Sequence, residues 1–244
     1  MKVDAIRLDL RPRSMFEACD LGVLIVSTHA RAVWGSCAPV FAFVLLAAIA
    51  LYPFGVGWTL FAIFWLKPWL DRSILFVLAR SVFGEQTRFR DLLLANRAVW
   101  WQGLAGSLTM RRISPWRSFV QPVLQLEGHR GRSRGKRMNL MLGNHRGAAL
   151  GMQSAFSAVE SAFVFGLWTL PGWLMPGDAR ADWLRGIFTG DSPGAGWLSI
   201  GCYALAVFAV EPFFVGAGFA MYLNRRVELE AWDIEQEFRL AFAV

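Results

Sequence analysis

The chain has 244 residues, of which 55% are apolar and 18% charged, against about 25% charged in an ordinary soluble domain. Its charges gather between long charge-free blocks, which excludes a soluble globular fold and points to a membrane protein. The net charge of +7 is then read as the cytoplasmic excess of Lys and Arg rather than as a nucleic-acid surface.

The expected class is all-α: an integral membrane helical bundle of about four transmembrane helices with interfacial amphipathic helices, one domain over 1–244. Residues 1–13 mix Lys2, Arg7, Arg11 and Arg13 with Asp4 and Asp9. No apolar run or A-x-A-like site follows directly, so a signal peptide is not expected. Ser14 and Glu17 form an S-x-x-E capping box. It opens a helix over 14–30 with Leu21, Leu24 and Ile25 at helical spacing and Glu17, Asp20 and His29 among its polar positions. This predicts an amphipathic helix on the cytoplasmic membrane face, with a soluble surface helix as the alternative.

Residues 33–52 carry no charge and are long enough for a first span. Pro53–Gly57 is a turn. The next segment, 55–70, is short. It is either a second span whose helix continues through Pro68 or a re-entrant hairpin. Lys67, Asp71 and Arg72 are expected to mark its cytoplasmic end. Residues 67–146 hold fifteen positive and four negative side chains, so 71–146 is expected as a set of basic cytoplasmic interfacial helices. Residues 147–170 form a third span, 171–196 a periplasmic loop, 197–222 a fourth span and 223–244 a cytoplasmic helix. Four crossings put both termini in the cytoplasm of a bacterial inner membrane.

Two carboxylates stand inside these spans. Glu160 lies about 20 Å from the cytoplasmic start of its span and Glu211 about 17 Å from the end of its own, so antiparallel neighbours place them at nearly one level. Gln153, Ser157, Glu160 and Ser161 fall on one helical face. Ser154, Ala158, Ala162 and Gly166 form an adjoining small-residue stripe suited to close helix packing. No cation is expected at that depth, so the two carboxylates would share a proton. A site linked to protons or substrate is one reading; carboxylic acids that glue helices are the other. Pro212 frees the carbonyl of Phe208, near which a protonated Glu211 could bond.

The run His129–Arg137 is polybasic. Arg130, Arg132, Arg134, Lys136 and Arg137 are expected to contact anionic lipid, with partner-protein binding as a second reading. Aromatic interleaving is absent, so nucleic acid is not an expected partner. Cys19, Cys37 and Cys202 form no C-x-x-C pair, and no metal or cofactor is expected. His29, His129 and His145 lack carboxylates at motif spacing. With no G-x-S-x-G, H-E-x-x-H or P-loop, no catalytic residue is named and enzyme activity is not expected.

The chain ends on Tyr222-Leu223-Asn224-Arg225-Arg226, with Leu229-Glu230 and Trp232-Asp233-Ile234-Glu235 beyond. Arg226, Glu230 and Asp233 share a helical face, as ion pairs or a partner-docking surface. This ending resembles a family of uncharacterised bacterial multi-pass inner-membrane proteins that close on YLNRR-x-x-LE-x-WDIE-x-x-FR. More loosely it resembles the membrane domain of glycerophosphodiester phosphodiesterases, whose catalytic domain has no counterpart here. Arg11-Pro12-Arg13-Ser14, Lys67-Pro68, Phe83-Gly84-Glu85 and Leu124-Gln125-Leu126-Glu127-Gly128 also look like the first family. Its members look non-enzymatic and are often encoded beside MoxR-type ATPases, von Willebrand factor A-like proteins and transglutaminase-like membrane proteins. The resemblance therefore implies a subunit of an envelope complex, with membrane lipids and other membrane proteins as partners. The expected function is a non-catalytic scaffold. The alternative is a small proton-linked transporter or lipid-handling protein using Glu160 and Glu211.

Overall fold

A computed structural model describes residues 12–101, 106, 108–109, 114–129, 131–177, 179–182, 185 and 193–230. Among them the chain is a helical bundle without strands. Its helices are α1 (Met15–Thr28), α2 (Ala30–Ile49), α3 (Val56–Val82), α4 (Phe89–Leu94), α5 (Arg117–Gln125), α6 (Gly131–Leu142), α7 (Arg146–Trp173) and α8 (Pro193–Glu230). Three stretches are long and apolar enough to cross a membrane: Ala30–Phe54, Gly131–Trp173 and Gly194–Glu230. Of the sequence expectations, Arg130, Asp233, part of the loop 171–196 and the C-terminal helix beyond 230 lie outside the described residues.

The 38 residues of α8 give a rod of about 57 Å, nearly twice the thickness of a hydrocarbon core. It is the axis of the fold: α1, α3, α5 and α7 all pack on it. Small residues set two of these approaches. A Cβ on Gly22 of α1 would lie 2.4 Å from the Gly216 carbonyl oxygen. One on Gly218 would lie 1.9 Å from Ser118 Oγ of α5. Close backbone approach of this kind holds helices together where burial from lipid supplies little driving force.

Several boundaries differ from expectation. The Ser14–Glu17 capping box is present in both directions. However, α1 packs along α8 and buries Met15, Ala18, Gly22, Ile25 and Val26, while Leu24 is exposed. Of the expected apolar face Ile25 is buried and Leu24 is not; the contact with α8 also uses Ala18 and Gly22, whose small size allows close approach.

The second apolar segment does not end at 70. α3 runs unbroken through Pro68 for 27 residues. Lys67, Asp71 and Arg72 are buried within it rather than marking its end, and most of 71–82 is buried with them. The stripe Ser154, Ala158, Ala162 and Gly166 is exposed on α7 and meets no close helix among the described residues.

Candidate functional site

α3 places Lys67 about 17 Å along its length, near its middle. One turn later Asp71 falls on the same face. α7 and α8 bring Glu160 and Glu211 to this level, as the antiparallel spacing predicts. Lys67 Nζ donates to Glu160 Oε1 at 2.6 Å and Oε2 at 2.5 Å, and lies 3.0 Å from Glu211 Oε2. The expectation that no cation reaches this depth is thereby corrected. The pair does not have to share a proton, because a lysine stands between the two carboxylates.

A second cation arrives from the basic segment. α5 re-enters the bundle against α8 and buries Arg117, Ser118, Phe119, Val120, Pro122 and Val123. Arg117 Nη2 donates to Glu211 Oε1 at 2.8 Å, and its Nε lies 3.2 Å from Asp71 Oδ2. The guanidinium also lies 5.1 Å from the centre of the Phe214 ring, a cation–π geometry. Ser118 Oγ donates to the Phe214 carbonyl at 2.8 Å and locks α5 to α8. Each oxygen of Glu211 thus meets a different cation. Burying such charges is costly unless they are paired in this way.

The five charged groups are unequally covered. The side chains of Lys67, Asp71, Arg117 and Glu211 are at most 9% exposed, and Glu160 is 19% exposed. Beside them lies a cavity of about 310 Å³ whose wall includes Lys67, Arg117, Glu160 and Glu211. Gln153, Ser157 and Ser161 also line it, so the face read from helical spacing is the face that meets the cavity. Gln153 Nε2 donates to Ser157 Oγ at 3.2 Å, leaving the amide oxygen of Gln153 available as an acceptor. Arg117 Nη1 has no hydrogen-bond partner among the described residues. Tyr203 closes one side, its ring centre 5.7 Å from Lys67 Nζ. The structure therefore adds Lys67, Arg117, Asp71 and Tyr203 to the residues expected from sequence.

The Pro212 break is satisfied differently from expectation. The freed Phe208 carbonyl accepts from the Trp34 indole of α2 at 3.1 Å, while Glu211 faces the cations.

A separate cluster of ion pairs forms around Glu127. Arg137 Nε and Nη2 donate to its two oxygens at 2.8 and 2.9 Å, and Tyr222 Oη donates to Oε1 at 2.8 Å. Arg137 and Arg226 both bond Glu230. The i, i+4 pairing of Arg226 with Glu230 is thus present, and Arg137 is held in ion pairs with Glu127 and Glu230. Burial pushes the Glu127 carboxyl up, but hydrogen bonds from Arg137 and Tyr222, with the charges of Arg137 and Arg226, hold it below the usual range. Of the polybasic run, Arg132 and Lys136 are exposed and Arg134 is half-buried. His129 and His145 approach Glu127 at 3.4 Å and Glu228 at 3.7 Å, carboxylates that arginines already hold.

The motif residues converge at this end. Asn224 accepts from the Arg13 amide and donates to the Arg13 carbonyl, both at 2.8 Å. Gln125 Nε2 donates to the Arg72 carbonyl at 2.7 Å. No family model, curated protein or solved structure matches the chain.

Proposed function

We propose that the protein is a small transporter or lipid-handling protein of the bacterial inner membrane that takes a charged group into the cavity between α3, α7 and α8. One observation carries this reading: two cations and two carboxylates line a single space inside the bundle, with Glu160 partly open to it. A charge set built only to join helices has no use for adjoining space. Four crossings with both termini inside accompany the reading. The buried pairs let α3 serve as the fourth crossing despite its charges, and the basic residues of 71–146 other than the bundle's own Arg72 and Arg117 lie on the cytoplasmic side. A cysteine at Gly177 should then label from outside, and one at Lys136 only after the membrane is opened.

The test is movement of labelled host lipids and small zwitterionic solutes in proteoliposomes under a pH gradient. Wild type should move at least one class, and Ser157→Trp, which fills the cavity without touching an ion pair, should not. Equal rates in wild type, Ser157→Trp and protein-free vesicles overturn the reading.

A second reading is a non-catalytic scaffold of an envelope complex. It is favoured by the gathering of Arg13, Glu127, Asn224 and Arg226, all from motif segments, at one end of α8. It predicts that Arg226→Ala or Asp233→Ala loses a co-purifying membrane protein. Unchanged pull-downs for both variants remove it.

A further inference from the structure

The polar cavity does not end at its charged wall. Phe64 and Tyr203 line it and also line a neighbouring apolar groove of about 410 Å³. The groove is walled by Leu60, Phe61, Val164 and Trp168. Its polar members are engaged: the Trp168 indole donates to Ser199 Oγ at 3.0 Å, and Ser199 donates onward to the Ala195 carbonyl. α3 and α7 each pack on α8 but scarcely on each other, so the space between them is open at the side. Phe61 and Phe64 stand exposed there. In a membrane, that side faces acyl chains. The two spaces together form a cleft with a charged inner end and an apolar outer arm, of ordinary ligand-pocket size.

Both signs of charge are present at the inner end. A purely anionic group would sit against Glu160 and Glu211. A purely cationic one would sit against Lys67 and Arg117. A zwitterion satisfies both. The acceptors available for the cation are a carboxylate of Glu160, the Gln153 amide oxygen and the hydroxyls of Ser157 and Ser161. These suit an ammonium with three N–H donors. A quaternary ammonium has none and favours an aromatic cage instead.

We infer that the cleft binds one zwitterionic glycerophospholipid with a primary ammonium, of the phosphatidylethanolamine class, drawn sideways from the bilayer. Its ammonium sits at Glu160, its phosphate at Arg117 and Lys67, and an acyl chain lies in the Phe61–Trp168 groove. This rests on the cavity being the working site, and it adds the ligand class and the route of entry.

The test is native mass spectrometry of the full chain released from nanodiscs holding equal parts phosphatidylethanolamine, phosphatidylcholine and phosphatidylglycerol. Wild type should retain phosphatidylethanolamine at least tenfold over either competitor. Glu160→Gln, Ser157→Trp and Leu60→Trp should each reduce that retention at least tenfold. Ser157→Trp and Leu60→Trp leave every ion pair in place, so their melting checks that the fold persists. Equal retention of the three lipids, or retention indifferent to Ser157→Trp, overturns the inference. If soluble glycerophosphoethanolamine competes as well as the lipid and Leu60→Trp changes nothing, the lipid assignment falls while the polar site stands. If Ser157→Trp leaves both retention and transport unchanged, both fall.

Discussion

The cluster around Glu211 and the cluster around Glu127 use the same chemical groups, yet they are finished differently. Glu127 accepts from Arg137 at both oxygens and from Tyr222, with Arg226 at 3.9 Å. Its capacity is consumed by the segments it joins: the end of α5, α6 and the last turns of α8. Glu211 also meets a cation at each oxygen. Around it, however, Glu160 is partly open, and a cavity adjoins it together with Lys67, Arg117 and Glu211. A saturated network holds elements in place and specifies their arrangement. A network with a partly open carboxylate beside a space has the means to bind something else. The comparison separates a joint from a site without any appeal to residue type.

The largest effect should come from Lys67→Met, which leaves Glu160 and Glu211 facing each other with one cation fewer. Removing one partner of a buried pair costs about 3–5 kcal/mol. Melting in detergent should fall accordingly, and adding Glu160→Gln should restore a good part of the loss. Wild-type melting for Lys67→Met would mean that the inner cluster is not energetically coupled.

Glu127→Gln should cost less, about 2 kcal/mol, the scale of hydrogen bonds to a charged group. The loss should depend on pH in a stated direction. The folded carboxyl titrates below its ordinary value of 4.5, so its contribution is complete above that value. It is lost as pH falls through the lower folded value. The gap in melting between wild type and Glu127→Gln should be flat from neutral pH down to about 5 and close below it. A gap that widens on acidification would contradict the assignment.

Trp34→Phe should cost about 1 kcal/mol, since it keeps the ring but withdraws the donor from the Phe208 carbonyl that Pro212 leaves free. An unchanged melting temperature would mean that another group satisfies that carbonyl.

The sequence made some of this visible and hid the rest for physical reasons. Span length and helical periodicity sufficed to put Glu160 and Glu211 at one level and Gln153, Ser157 and Ser161 on the cavity face. Those properties are local to one helix. Lys67, Asp71 and Arg72 were misread because a charge near the end of a short apolar run looks like a flank. Once the helix is carried through Pro68, the same Lys67 and Asp71 are an i, i+4 pair in the middle of a 27-residue rod. Arg117 had no local signal. It sits on a nine-residue helix whose burial depends on Gly218 and Ser118 meeting across the bundle, a contact between residues far apart in the chain. The Pro212 break was legible, but its donor on α2 was not, because periodicity does not say which neighbour an orphaned carbonyl faces.

The smallest stability effect belongs to the remaining basic surface. Arg132 and Lys136 stand one turn apart on α6, exposed and without an ion pair among the described residues. Arg137, on the same helix, is tied to Glu127 and Glu230. Replacing Arg132 and Lys136 with Ala should change melting by less than about 0.5 kcal/mol, as is usual for surface substitutions. It should instead reduce the anionic lipid that co-purifies with the protein, since each basic side chain near an anionic surface contributes about 1 kcal/mol of attraction. Arg137→Ala should do the reverse, lowering stability with little change in bound anionic lipid. If the two variants exchange these behaviours, the division of the polybasic run into a lipid-facing pair and a structural arginine is wrong. The Glu127 cluster would then have to be counted as membrane surface rather than as a joint.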